Sequence, residues 1–445
     1  MKRSKYLLAL MLFLITSLVF AETNNVSVTV YNQNMALVRE LRTIQVEKGV
    51  QEFSFDGVAA FIDPTSVRFK ADGINVLEQN FEYDLVNRNA LLERYIGEMV
   101  DVQMENEIVR GKLLSTSGGI IIEDTKKEIR LIDPSAVLAV RFPEMPDGLI
   151  LKPTLKWLLD SQNSGNVQSE LNYITNNLSW EASYVAVVDD KDENLELTGW
   201  VQIDNKSGSR YEEATLKLMA GDLNIARSPR RNEIMYAAMD EAVQKGGFTE
   251  KDFFEYHLYT LPRKVTLGDN QIKQISLIDP ADASVTKEYT FNTNMGRSNK
   301  VAVTLKFDNI EEHGLGIPLP AGKVRIYKKD DDGSLQLIGE DRIDHTPRNE
   351  TLKLSTGNAF DVVAERTRSD YKRLHNNQRE ETYVIEIRNR KKEAVSVNIN
   401  ERFGGNWIVL EESETGKKID ANLYQWIMKL GPDEVKKLTY KVRVG

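Results

Sequence analysis

The chain has no cysteine. This excludes disulfides, thiolate nucleophiles and cysteine-ligated metal centres, so hydrophobic cores alone must supply the stability. Histidine is nearly as scarce, with four in 445 residues and no H-E-x-x-H spacing among them. The sequence therefore offers no zinc motif, and no metal is expected. Nucleophile motifs are missing as well. There is no G-x-S-x-G, and Ser117 in STSGG lacks both the preceding glycine and a strand-to-helix context. Gly316 to Lys323 (GIPLPAGK) imitates a phosphate loop only superficially. It has two prolines, the wrong glycine spacing, and Val324 where a hydroxyl would hold magnesium. No cofactor is expected, and no catalytic residue can be assigned.

Long apolar runs are also absent, except at the N terminus. Lys2, Arg3 and Lys5 precede the apolar stretch Tyr6 to Phe20, and Val19-Phe20-Ala21 is an acceptable cleavage site, which together describe a removable signal peptide over 1–21. The stretch is shorter than the roughly 20 residues that span a bilayer. No cysteine follows it to carry a lipid. We expect an exported protein, periplasmic or at the cell surface, with no transmembrane segment after signal removal. Losing three basic residues with the signal takes the formal charge from −9 to −12, a surface that repels nucleic acid and anionic lipid.

What is present is β patterning. Trp180, Ala182, Tyr184 and Ala186 alternate with Glu181, Ser183, Val185 and Val187, and a period of two sends each set to its own face of a strand. After the turn DDKDEN, the chain returns with Leu195, Leu197, Gly199, Val201 and Ile203 on one face and Trp200, Gln202 and Asp204 on the other. Asn205 to Gly208 turns it again, and Leu216, Leu218 and Ala220 alternate in a third strand. These three strands read as an antiparallel meander.

The rest of the chain reads as mainly β. A signal peptide (1–21) precedes an N-terminal β region (22–90), whose Tyr31, Phe53, Phe55 and Phe61 are expected in its core. Five short strands with glycines at the bends predict a small SH3-like or Sm-like barrel over 91–145. A first β-sandwich region follows over 146–225, with Pro153 at a helix start and Trp157 available to cap a core. A helical insertion spans 226–252, with helix formers from Asn232 to Lys245 that place Ile234, Met235, Ala238, Met239 and Ala242 on one face. A second β-sandwich region (253–445) completes the chain.

YITNNLSWEASYVAVV followed by LTGWVQIDNKSGSRYEEATLKLMAGDLN resembles the core signature of the exported bacterial family called domain of unknown function 4139. Further matching stretches occur in order: VYNQNMALVRE, FFEYHLYTLPRKVTL, GLGIPLPAGKVRIYKKDDDGSLQLIGEDRIDHTP and GNWIVLEE. The resemblance implies no activity and no catalytic residues. Distant relatives labelled mucoidy inhibitors imply a role in the cell envelope.

Each candidate for chemistry competes with a structural role. His257, in EYHLY, shares a strand face with Glu255 and Tyr259, and a hydrogen-bonded strand histidine is preferred over a ligand or acid–base group. His313, His345 and His375 sit in turn-like surroundings. The acidic stretches at Asp189 and Lys328 lack the calcium-loop pattern and read as solvated hairpin tips. Glu181, Asp204 and Asp222 flank Trp180 and Trp200, which could form a sugar-stacking face, but burial of the indoles in a sandwich core is preferred. Met235 and Met239 are candidates for partner binding, as are the two indoles. The function expected from all this is non-enzymatic binding or scaffolding, with an envelope protein or glycan as partner. The alternative is a carbohydrate- or peptide-active hydrolase built from dispersed carboxylates.

Overall fold

A computed structural model of the protein describes residues 25–83, 88–144, 152–221, 223–224, 243–245, 248–293, 299–375 and 378–445. The stretch expected to be a signal peptide (1–21) and the residues Met235 and Met239 lie outside the described residues. Strands dominate, and the one α-helix among the described residues is Arg88–Arg94. Contacts divide the chain into two compact units, one containing residues 37–174 and the other residues 28–36 with 175–445.

In the first unit, Thr154–Ser161 lies between Gly49–Asp56 and Ile74–Glu82 in an antiparallel three-stranded sheet. The helix start expected at Pro153 is thus replaced by a strand. Leu155, Trp157 and Leu159 recur with a period of two and are at most 1% exposed, and that face would be broken up on a helix. Trp157 meets Phe53, Phe55 and Phe69 at centroid distances of 6.4, 5.7 and 4.6 Å. Phe61, expected in this core, is exposed instead. The core also contains a charge. Glu40 is buried, accepts a hydrogen bond from the Tyr173 hydroxyl at 2.8 Å, and pairs with Arg42, whose guanidinium lies 3.8 Å from the centroid of the Phe55 ring.

The expected small barrel region is a five-stranded antiparallel meander. Met99–Gln103, Ile108–Ser115, Ile120–Asp124 and Ile129–Ile132 follow in order, and Ala139–Arg141 returns beside the first. Val100, Val102, Val109, Leu113, Ile120 and Ile122 fill it, and Leu92 and Tyr95 close one side. Gly111 is required by close approach. A Cβ there would lie 2.2 Å from Ile122 Cγ2 and 2.4 Å from the Glu123 carbonyl oxygen. Gly111→Ala should therefore cost about 1–3 kcal/mol through overpacking, seen as a lowered midpoint in thermal unfolding; an unchanged midpoint would mean that the strands part freely here.

In the second unit, Leu178–Val188 pairs antiparallel with Asn194–Asn205 and parallel with Gly322–Lys329. Gln271–Ser284 and Leu335–Ile343 flank these to give five strands. The third strand of the expected meander, Tyr211–Ala220, does not join this sheet. It pairs with Tyr256–Thr260 and Val265–Leu267 in a second layer. The reason is burial: the inward face of the first two strands needs a cover, and the buried, alternating Leu216, Leu218 and Ala220 share the face on which Tyr259 meets Trp180. Asn205 fixes the crossing. Its amide donates to the Ser209 and Gly268 carbonyls at 2.9 Å each, and its Oδ1 accepts from the Ser207 backbone and hydroxyl. At the opposite turn Asp192 is more than a solvated tip, because it pairs with both Lys287 and Lys328. Burial alone would raise its pKa, but the two lysines hold it below the usual carboxylate range.

The C-terminal part of this unit is one nine-stranded sheet that curls back on itself. Leu423–Leu430 and Val435–Val444 stand near opposite ends of the strand order, yet Trp426 and Tyr440 pack ring to ring at 4.7 Å. The Trp426 indole N–H also donates to Glu412, 2.8 Å away on the far edge strand. Glu401 is buried inside, accepting from Arg366 Nη2 at 2.9 Å and from the Tyr440 hydroxyl at 2.7 Å, and the Arg366 guanidinium lies 3.5 Å from the centroid of the Tyr383 ring. A buried glutamate, an arginine stacked on an aromatic ring and a tyrosine hydroxyl therefore recur in both units.

Candidate functional site

Alternation decides which side chains of the five-stranded sheet face outward. Trp200, Gln202 and Asp204 do so from one strand, and Ser179, Glu181 and Ser183 from its partner. Register then places Ser276, Trp200, Ser183, Lys323 and Arg342 directly across from one another on five successive strands. One step along, Gln274 donates to Gln202 at 3.3 Å, and Gln202 donates to Glu181 at 3.2 Å. The result is a ladder of amides and a carboxylate beside a half-exposed indole; Trp200 is 42% exposed.

Beside this face is a groove of about 710 Å³, lined among others by Trp180, Glu181, Asp204, Arg342, Asp344 and His345, and not by Trp200. That volume is within the range of small-ligand sites. Asp204 pairs with Lys206, and its Oδ1 is buried with no hydrogen-bond partner, which leaves an acceptor unsatisfied beside the groove. The Ala321 backbone N–H donates to His345 Nδ1 at 3.1 Å, so in the neutral ring the proton resides on Nε2.

The segment below the groove is pinned. The buried hydroxyls of Tyr259 and Tyr184 donate to the Pro318 and Pro320 carbonyls at 2.8 Å each, and burial raises both phenols above their ordinary pKa. Asn309 holds the Ile317 carbonyl and the Gly316 N–H. The phosphate-loop lookalike is therefore a braced strut, its proline carbonyls used as acceptors.

The sequence candidates separate. Trp180 and Trp200 occupy opposite faces and cannot form one stacking surface. Trp180 is 3% exposed, donates from its indole N–H to the Met219 carbonyl at 3.2 Å, and packs on Tyr259. Glu181 and Asp204 do meet at the groove, whereas Asp222 lies outside the described residues. The helical insertion expected over 226–252 is strand in its described part: Val243–Lys245 pairs with Phe248–Phe253. His257 takes its partners from that neighbouring strand, Glu250 and Asp252, and Glu255 is not among them. Arg342, Asp344 and His345 were missed as groove residues, since they reach it through a parallel pairing about 140 residues distant in sequence.

Fold and site together define a two-unit, predominantly β protein with a polar groove on an outer sheet face. The chain belongs to the family described as Domain of unknown function (DUF4139), which matches residues 169–445. No curated protein matches the chain. No helix among the described residues is long and apolar enough to cross a membrane.

Proposed function

We propose that this is an exported, non-enzymatic binding protein of the cell envelope that holds a glycan strand along the outer face of its five-stranded sheet. The observation that carries the reading is the half-exposed Trp200 set in register beside the Gln274, Gln202 and Glu181 ladder. An indole offers a flat apolar platform for a sugar ring. Amides and carboxylates at strand spacing supply paired donors and acceptors for vicinal hydroxyls. The groove gives the chain of sugars a place to enter.

Titration of envelope-derived oligosaccharides, followed by tryptophan fluorescence and calorimetry, tests this. Trp200→Ala should weaken binding at least tenfold, about 1.4 kcal/mol, with the unfolding midpoint nearly unchanged because the ring packs into no core. Equal affinity in the variant would remove the proposal. The hydrolase reading rests on Glu181 and Asp204 sharing one groove. It predicts new reducing ends that Glu181→Gln abolishes, and binding without cleavage would exclude it.

A further inference from the structure

The structure assigns a divalent transition-metal site to Glu250, Asp252 and His257, on the hairpin formed by Phe248–Phe253 and Tyr256–Thr260. Glu250 and Asp252 are two apart on one strand, so their side chains share a face. His257 is directly opposite Asp252 in the register, so it shares that face too. Three side chains therefore converge from two paired strands, each offering an atom within 4.8 Å of the other two.

The distances suit an ion. His257 Nδ1 is 2.8 Å from Glu250 Oε1 and 3.1 Å from Asp252 Oδ1. With bonds of about 2.1 Å, donors at those separations subtend about 85–95° at a common ion, the angle between neighbouring positions of an octahedron. Electrostatics point the same way. Among the described residues the imidazole is the only positively chargeable partner of either carboxylate. One Nδ1 proton cannot serve two carboxylates well, whereas a dication bonded to all three satisfies both. The nearby Tyr259 hydroxyl is committed to Pro318 and is not a ligand.

The donor set selects the ion class. Imidazole nitrogen with two carboxylates favours zinc, cobalt or manganese over calcium and magnesium, which prefer oxygen alone. The site is also open. Glu250 is largely buried, but the Asp252 side chain is 52% exposed, so further coordination positions face solvent and can take water or an anionic ligand. The pattern Glu-x-Asp-x4-His is a hairpin signature, which helical spacing rules do not detect.

The test uses tag-free full-length mature protein stripped with chelator, with Zn²⁺ followed by calorimetry and Co²⁺ by its visible absorption. The expected result is one Zn²⁺ per chain, a Co²⁺ spectrum with a nitrogen ligand, a raised unfolding midpoint with Zn²⁺, and no response to Mg²⁺ or Ca²⁺. Asp252→Asn, at an exposed position, should weaken Zn²⁺ binding at least tenfold, and His257→Ala at least a hundredfold, both variants remaining folded by circular dichroism. No Zn²⁺ uptake by the parent protein would overturn the assignment. So would uptake that both variants retain unchanged, because the ion would then lie elsewhere. A folded Asp252→Asn variant keeps the test decisive even if His257→Ala does not fold.

Discussion

Arg366→Met should destabilise the second unit by about 3–5 kcal/mol at pH 7.5, because it removes the guanidinium paired with Glu401 and leaves a buried carboxylate without its cation. The loss should depend on pH in a definite direction. Burial is the main influence on Glu401 and raises its pKa; Arg366 is the largest influence opposing that rise. A carboxyl whose folded pKa lies above its unfolded value binds the proton more tightly when folded. Its contribution to stability is therefore most favourable at acid pH, declines as pH rises from the unfolded value to the folded value, and is level beyond. Without the guanidinium the folded value moves higher still, so the decline is longer and deeper.

Urea unfolding of parent and variant at pH 5 and pH 7.5 reads this directly. The deficit should be largest at pH 7.5 and clearly smaller at pH 5, where the proton does part of the work of the lost cation. Glu401→Gln combined with Arg366→Met should recover part of the loss at pH 7.5. A deficit below about 1 kcal/mol, or one equal at both pH values, would show that Arg366 matters here through its stacking on Tyr383 and not through its charge.

The second large effect belongs to the first unit. Trp157→Ala should cost about 3–5 kcal/mol, the usual range for deleting a buried indole. The ring is 1% exposed and touches Phe53, Phe55 and Phe69, so its loss opens a cavity whose walls belong to several strands and cannot close together. Loss of the indole N–H adds little. Its acceptor, Gln79 Oε1, is on an exposed side chain and can bond to water instead. Calorimetry of the two variants should lower two different parts of the unfolding profile, since Trp157 and Arg366 lie in different compact units. A single transition lowered equally by both would mean that the units unfold as one.

Half of the candidate site was legible in the residues. Alternation alone put Trp200, Gln202 and Asp204 on one face and the Leu195 to Ile203 set on the other, and the structure keeps every one of those assignments. The same rule, applied to Trp180 and Trp200 together, already gives them opposite faces once the strands are paired in register, with Ile203 opposite Trp180 and Ser183 opposite Trp200. The preferred expectation of burial therefore holds for Trp180 and not for Trp200, because the two indoles sit on opposite faces of one sheet. Phe61 failed for the complementary reason: aromatic preference for the core is an average, and it says nothing about which way one side chain points in a connecting segment.

The sequence by itself determined the fold class, the faces of individual strands and the positions of several turns, because side-chain direction in a strand follows from local backbone geometry with a period of two. Only the tertiary structure decided which strands are neighbours. It sent Tyr211–Ala220 into the second layer, brought Gly322–Lys329 alongside Leu178–Val188, set Arg342 and His345 at the groove, and laid His257 across from Asp252. Backbone hydrogen bonds are the same for every residue and carry no partner identity, so pairing is selected by which arrangement buries the most apolar surface over the whole chain. That choice is non-local, and the residues that meet because of it cannot be found by spacing.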